Sequence, residues 1–307
     1  MQELLDDIVK RCRALGDGFE PASYIPELAN VDRSDFSIST VTTDGRICAA
    51  GDAETLLSMQ SMSKVVALAY AVEHFGAAEV FSRVGMEPCA EPFNSIMKLE
   101  IASNIPLNPF INSGAIAICE MIADRYESAS LDEMLRFCSR MAARPEDAPL
   151  AFSERIYRSE TTTADRNRAL AYFMRSTGAI KRNVEETLGL YFRLCSICAN
   201  TTDLASIGAV IANGGVCPRT GTRILSLETS YVMTGLMSTC GLYNESGEFA
   251  VKVGVPAKSG VSGGILCAVP GKMGAAVYSP PLDDRGNSVA GLAALSLLSK
   301  ELKLRGI

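Results

Sequence analysis

Apolar positions recur at helical spacing over residues 3–15, predicting an amphipathic N-terminal helix. The period then shortens to two. Residues 36–42 and 46–50 flank Asp44-Gly45, a dipeptide that favours positive φ, and together predict a β-hairpin. Through the middle of the chain the helical period returns. Ser130-Leu-Asp-Glu133 and Asn183-Val-Glu-Glu186 have the spacing of capping boxes, and Gly214-Gly215 ends an apolar run that starts at Leu204. Near the C-terminus residues 249–254, 264–269 and 274–279 are short, strand-like and separated by Gly and Pro turns, before a last helix over residues 288–304. The pattern predicts an α+β fold: one mixed or antiparallel sheet built from both chain ends, flanked by the terminal helices, with a helical lobe at approximately 65–245. No repeat or polar linker divides residues 1–307, which are expected to form one catalytic domain.

Composition narrows the function. With 307 residues and 48% hydrophobic content the chain can bury a sizeable core. It opens on acids (Glu3, Asp6, Asp7) and holds no apolar stretch near the roughly 20 residues that span a bilayer, so a cytoplasmic protein is expected. A net charge of −6 without a Lys/Arg cluster speaks against nucleic acid or an anionic membrane as partner and points to a small molecule. The ten cysteines sit mostly among apolar neighbours and are expected to be buried free thiols. Cys195-Ser-Ile-Cys198 has redox spacing, but it follows a helical pattern instead of opening a helix after a strand. His74 is the only histidine, which argues against His-based metal sites and a Ser-His-Asp triad, and no metal or cofactor is expected. Acid–base chemistry then falls to Lys, Tyr, Asp or Glu.

Ser61-Met-Ser-Lys64 opens the apolar helical run at residues 65–72, and i, i+3 spacing puts Ser and Lys on one face. A serine hydroxyl needs a base, and a desolvated lysine can be that base. Taken alone, the same four residues suit a serine N-cap followed by a solvated lysine better, and Ser95-Ile-Met-Lys98 repeats the spacing. A second element, Lys258-Ser-Gly260, leads into Val261-Ser-Gly-Gly264, where glycines let backbone approach a substrate and a strand-edge N–H can face an oxyanion. Ser-x-x-Lys early and Lys-Ser-Gly late, with a helical lobe between, resemble the serine β-lactamases and penicillin-binding proteins. The Ser-Asp-Asn element of those enzymes is missing.

The longer stretches resemble the glutaminase family, which shares the β-lactamase/transpeptidase-like fold. They include Tyr24-Ile-Pro-Glu-Leu-Ala29, Gln60-Ser-Met-Ser-Lys64, Asn108-Pro-Phe-Ile-Asn-Ser-Gly-Ala-Ile116, Ser159-Glu160, Asp165-Arg-Asn-Arg-Ala169, Tyr191-Phe192, Cys195-Ser196, Cys240-Gly-Leu-Tyr243 and Pro256-Ala-Lys-Ser-Gly-Val261. Cys89-Ala90, Ser113 and residues 161–164 depart from the usual pattern. The resemblance implies hydrolysis of L-glutamine to L-glutamate and ammonia through an acyl-serine. It makes Ser61 the nucleophile, Lys64 its base, Tyr191 and Tyr243 proton relays, and the backbone N–H of Val261 an oxyanion donor. It carries substrate contacts over to Tyr24, Gln60, Ser61, Asn112, Glu160, Asn167, Tyr191, Tyr243 and Val261, with Glu160 the natural partner of the α-ammonium. It also implies a homo-oligomer, dimer or tetramer.

Overall fold

A computed structural model of the chain describes residues 1–89 and 105–305. The second Ser-x-x-Lys, at 95–98, lies outside them. The N-terminal helix α1 (Gln2–Cys12) and the C-terminal helix α12 (Val289–Glu301) pack together. Between them in sequence run the hairpin β1 (Ser37–Thr42) and β2 (Ile47–Gly51), and later β6 (Ala257–Gly260), β7 (Gly264–Val269) and β8 (Met273–Tyr278). These five form one antiparallel sheet in the order β2-β1-β8-β7-β6, so both chain ends do supply it. The hairpin turn falls where expected, with Gly45 at φ 86.

The sheet is covered on both faces. Leu5, Ile8, Ala294 and Leu298 of the terminal helices bury Ile38, Ile265, Cys267 and Val277 on one side. On the other lies α9 (Thr201–Ala212), which crosses β1, β7 and β8. Its approach is too close for side chains at two positions: a Cβ on Gly208 would lie 2.1 Å from Cys267 O, and one on Gly274 2.0 Å from Ala205 O. Burial from both sides explains why β7 and β8 read as continuous apolar runs instead of alternating.

The helical lobe surrounds α2 (Ser63–Phe75), buried from Ser63 to Val72 and packed on α4 (Asn112–Tyr126), α5 (Ser130–Met141), α8 (Val184–Cys195) and α10 (Leu227–Cys240). The helix α3 (Ala77–Arg83) follows α2 directly. A three-stranded sheet, β3-β5-β4, was not expected from the sequence; its strands β3 (Leu57–Ser58), β4 (Ala151–Phe152) and β5 (Ile197–Ala199) are too short to show a period. Helices α6 (Glu154–Thr162) and α7 (Asp165–Ser176) complete this side.

Two expectations fail. Residues 249–254 are not a strand: they fall in and just after α11 (Ser246–Lys252), where Phe249 and Val253, four apart, are buried while Val251 between them is 78% exposed. The β-branched residues suggested a strand, but the burial period is that of a helix. The first late strand is β6 instead. Ser130 does not cap α5, because a 3₁₀ turn at Glu127–Ala129 runs straight into the helix and the Ser130 hydroxyl donates back to Glu127 O at 2.6 Å. Asn183 does cap α8, accepting from the amides of Glu185 and Glu186. A full capping box joins Asn200 and Asp203 at the start of α9, with Asp in place of the usual Glu or Gln.

All ten cysteines are free, and burial raises the Cys195 thiol well above its usual range. His74 ends α2 on the surface, stacked on Tyr70 at 4.0 Å. Among the described residues no helix is long and apolar enough to cross a membrane.

Candidate functional site

The site begins at the seam between the two lobes. β3 is tied to β5, and the N–H of the next residue, Met59, donates to Ile197 O at 2.7 Å. This anchors the 3₁₀ turn Gln60–Met62, which carries Ser61 immediately ahead of α2. Gln60 is held at φ 46, a backbone region that costs a non-glycine residue of order 1–3 kcal/mol and persists only where the surroundings enforce it. Against this turn lies the end of β6. A Cβ on Gly260 would sit 2.8 Å from Met59 O and 3.4 Å from Gln60 Cβ, so glycine is what lets the sheet edge reach the serine turn.

Tyr24, Gln60, Ser61, Asn112, Glu160, Asn167, Tyr191 and Val261 line one pocket. Six stretches distant in sequence thus converge there. Lys64 and Tyr243 stand directly behind its wall. Val261 packs its side chain with Tyr243, Ile25 and Leu28, so only its backbone can serve a ligand. Tyr24 is at the mouth; much of its ring faces solvent, but burial of the hydroxyl end, near Tyr243 and Glu160, raises its phenol well above the usual range.

The solvated-lysine reading of Lys64 fails. The side chain is 2% exposed, and its Nζ donates to Asn112 Oδ1 at 2.8 Å and to Phe110 O at 3.1 Å, below the ring of Tyr191 at 5.9 Å. Burial lowers its pKa to about 8. No hydroxyl caps α2, so Ser61 is not an N-cap. Instead it hydrogen-bonds Tyr243, whose phenol also donates to Ser259 O at 3.4 Å. Burial pushes the Tyr243 phenol up to about 12, with the Ser61 bond pulling against it.

Opposite these groups, Glu160 on α6 is 4% exposed and its Oε2 is buried without a hydrogen-bond partner among the described residues. Desolvation raises this carboxyl to about 8. Asn112 and Asn167 do not cap their helices; Asn112 Nδ2 donates to Asn167 Oδ1 at 2.8 Å.

Lys258, which the sequence shows only as part of Lys258-Ser-Gly260, also belongs to the site. It is fully buried, its Nζ donates to Ser259 O at 2.7 Å and lies 4.2 Å from the Tyr243 ring centre. Burial first, and then the charge of Lys64, hold its pKa well below the usual range. The signal was its place in Lys-Ser-Gly on a strand. Arg166, Thr163 and Ile25 also line the pocket, and no local pattern distinguishes them. The ensemble offers a serine bonded to a phenol, a lysine that can be neutral near neutral pH, and a buried carboxyl waiting for a cation.

Residues 20–306 match the family described as Glutaminase. The chain is 45% identical over 305 residues to a glutaminase of Clostridium tetani, covering 99% of each, and 44% identical over 304 residues to one of Clostridioides difficile, covering 99% and 97%. Among solved structures it superimposes on the probable glutaminase ybaS with a TM-score of 0.93 at 38% identity, covering 98% and 96%. It also superimposes on a probable glutaminase from Bacillus subtilis complexed with 6-diazo-5-oxo-L-norleucine, with a TM-score of 0.90 at 33% identity, covering 100% and 97%.

Proposed function

The chain belongs to the glutaminase family, hydrolysing L-glutamine to L-glutamate and ammonia, and we propose that it does so through an acyl-enzyme on Ser61. The observation that carries the mechanism is Lys64, buried beside the serine turn with its pKa lowered to about 8. Neutral Lys64 takes the Ser61 proton as the hydroxyl attacks the carboxamide carbon. The oxyanion faces the backbone N–H groups of Ser61 and Val261. Tyr243 is the better placed of the two tyrosines to return a proton to the departing nitrogen, since it hydrogen-bonds Ser61 itself, whereas Tyr191 lies over Lys64. Water then releases glutamate by the reverse sequence. Ammonia release from L-glutamine, with L-asparagine and D-glutamine as controls, tests the activity and its substrate.

Glu160 binds the α-ammonium in this reading. Its carboxyl, raised to about 8 in the empty pocket, is mostly protonated at pH 7, and an arriving cation favours the carboxylate. Binding of glutamine at pH 7 therefore releases a proton, and affinity rises as pH approaches 8. Calorimetry in two buffers of different ionisation enthalpy should show that release. Glu160→Gln should abolish it and lower kcat/KM at least roughly tenfold, the equivalent of losing a charge-assisted hydrogen bond of about 1.5–3 kcal/mol. Unchanged kcat/KM in a folded Glu160→Gln protein would assign the ammonium to another residue.

Gly260→Ala tests the seam. The added Cβ must push β6 away from Met59 O, and with it the Val261 N–H. We expect kcat to fall by roughly 10²-fold, as for loss of one oxyanion donor, with KM nearly unchanged. Equal losses in kcat and in thermal stability, reversed by neither substrate nor product, would instead mark a general packing defect.

We further propose that residues 1–307 act as one catalytic domain in the cytoplasm, as the sequence pattern suggests, and that the chain is homo-oligomeric, as the family resemblance implies. Size-exclusion chromatography with light scattering checks the last of these.

A further inference from the structure

We propose that Asn112 is a positioning residue that couples the substrate's α-carboxylate to Lys64, so that carboxylate binding strengthens as Ser61 is deprotonated. The proposal rests on the acyl-serine reading above.

A lysine ammonium only donates, and a primary amide donates at nitrogen and accepts at oxygen. Lys64 Nζ donates to Asn112 Oδ1 at 2.8 Å, which fixes the Asn112 amide with its nitrogen pointing away. That nitrogen donates to Asn167 Oδ1 at 2.8 Å, which fixes the second amide in the same sense. Asn167 lines the pocket, and with its Oδ1 taken by Asn112 its Nδ2 is the amide atom left to donate beyond the row. The chain therefore has one polarity: Lys64 N–H to Asn112 C=O, Asn112 N–H to Asn167 C=O, and Asn167 N–H outward. An outward amide N–H suits an anion, and the anion of glutamine is its α-carboxylate. The other end of the substrate is already matched by Glu160.

Hydrogen bonds in such a row polarise one another, most of all when a cation stands at one end and an anion at the other in a poorly solvated interior. Asn112 is 6% exposed and Lys64 2%. In the Michaelis complex Lys64 is neutral and the row is weakly polarised. As the Ser61 oxygen bonds to the carboxamide carbon, the Ser61 proton passes to Lys64 Nζ and the carbonyl electron pair moves to oxygen. Lys64 is now an ammonium at the head of the row, and the carboxylate at its foot is held more tightly. An interaction that strengthens in the transition state raises kcat, whereas one of constant strength only lowers KM. The coupling is reciprocal, so bound carboxylate also raises the Lys64 pKa. Other titratable groups face Lys64: Glu160 from α6, Cys195 and Tyr191 from α8, Cys119 from α4 and Lys258 from β6. Of these groups none donates to or accepts from the Asn112–Asn167 row, and none differs between the two substrates compared below.

The test compares L-glutamine with the analogue whose α-carboxylate is reduced to CH₂OH, in wild type, Asn112→Ala and Asn112→Asp. In wild type the analogue should lose roughly tenfold in kcat in addition to its loss in KM. In Asn112→Ala the kcat ratio between the two substrates should fall to within about twofold while a KM difference persists through Asn167. Asn112→Asp keeps the shape but replaces the donor facing Asn167 by an acceptor, and should lose the kcat ratio as well. The wild-type pH profile of kcat should place the Lys64 limb higher than the profile of kcat/KM with glutamine, and at the same pH with the analogue. A wild-type kcat ratio retained in either folded variant, or a limb that does not move, overturns the coupling. Labelling of Ser61 by a diazo-ketone glutamine analogue in the same variants separates the two readings: its persistence leaves the acyl-serine in place when the coupling fails, and its absence from wild type removes the acyl-serine itself.

Discussion

Ser61→Ala is expected to lower ammonia release from L-glutamine by roughly 10⁴-fold or more while leaving the fold and substrate binding intact. The size follows from the site's construction. Without the hydroxyl there is no oxygen for Lys64 to activate, and water reaching the carboxamide would have to find a place within a pocket shaped around the serine turn. Binding should survive because the side chains that face the substrate's charged ends, Glu160 and Asn167, sit on α6 and α7 and not on that turn. Ser61 is 7% exposed, so removing its hydroxyl leaves a small polar vacancy beside Tyr243 and little change in stability. A melting temperature close to wild type together with inactivity is the expected pair of results. Substantial turnover by this variant would mean that another group makes the attack.

Lys64→Met is expected to cost roughly 10³-fold in kcat, the usual range for a positioned general base, with a much smaller change in KM. Methionine keeps the length of the buried stem and removes the nitrogen. The split between kcat and KM follows from geometry: Lys64 lies behind the pocket wall and reaches the substrate only through Ser61 and Asn112. The pH dependence gives a second discriminator. A base must be unprotonated, so wild-type kcat should rise with pH on a limb above about 8, the value at which Lys64 titrates in the empty pocket. The residual kcat of Lys64→Met should lack that limb. Its kcat/KM should still rise toward pH 8, because Glu160 must ionise to take the α-ammonium. If the limb in kcat survives the substitution unchanged, Lys64 is not the base.

The parts of the fold that were legible are those whose burial follows local pattern. The hairpin β1–β2 announces itself by Asp44-Gly45, and β7 and β8 by apolar runs between glycines. The terminal helices were placed on the sheet because both chain ends supply it. What misled was a segment whose residue types and burial period disagree: Phe249 and Val253 face the core one helical turn apart, and no preference for β-branched residues reports that. The two-residue and three-residue strands β3, β4 and β5 carry too little sequence to read, although they hold the serine turn in place.

The site divides in the same way. Spacing alone offered Ser61 and Lys64 as either a catalytic pair or a cap with a solvated lysine, and resemblance, not periodicity, favoured the pair. The difference between those readings is the burial of Lys64, which is produced by α4 and α8, about 50 and 130 residues away in the chain. The same holds for Glu160: burial raises its pKa, while Gln60 of the serine turn, Lys64 and Cys195 of α8, all distant in sequence, pull it back down. Lys258 was visible as a motif, but its stacking over Tyr243 and its repulsion with Lys64 exist only once β6 meets the start of α2.

The acyl-serine is tested most directly by treating the wild-type protein with a diazo-ketone analogue of glutamine and mapping the adduct by intact-protein and peptide mass spectrometry. One adduct per chain is expected, on the peptide containing Ser61, prevented by L-glutamate and absent in Ser61→Ala. An adduct confined to a cysteine, or one that forms equally in Ser61→Ala, would contradict it.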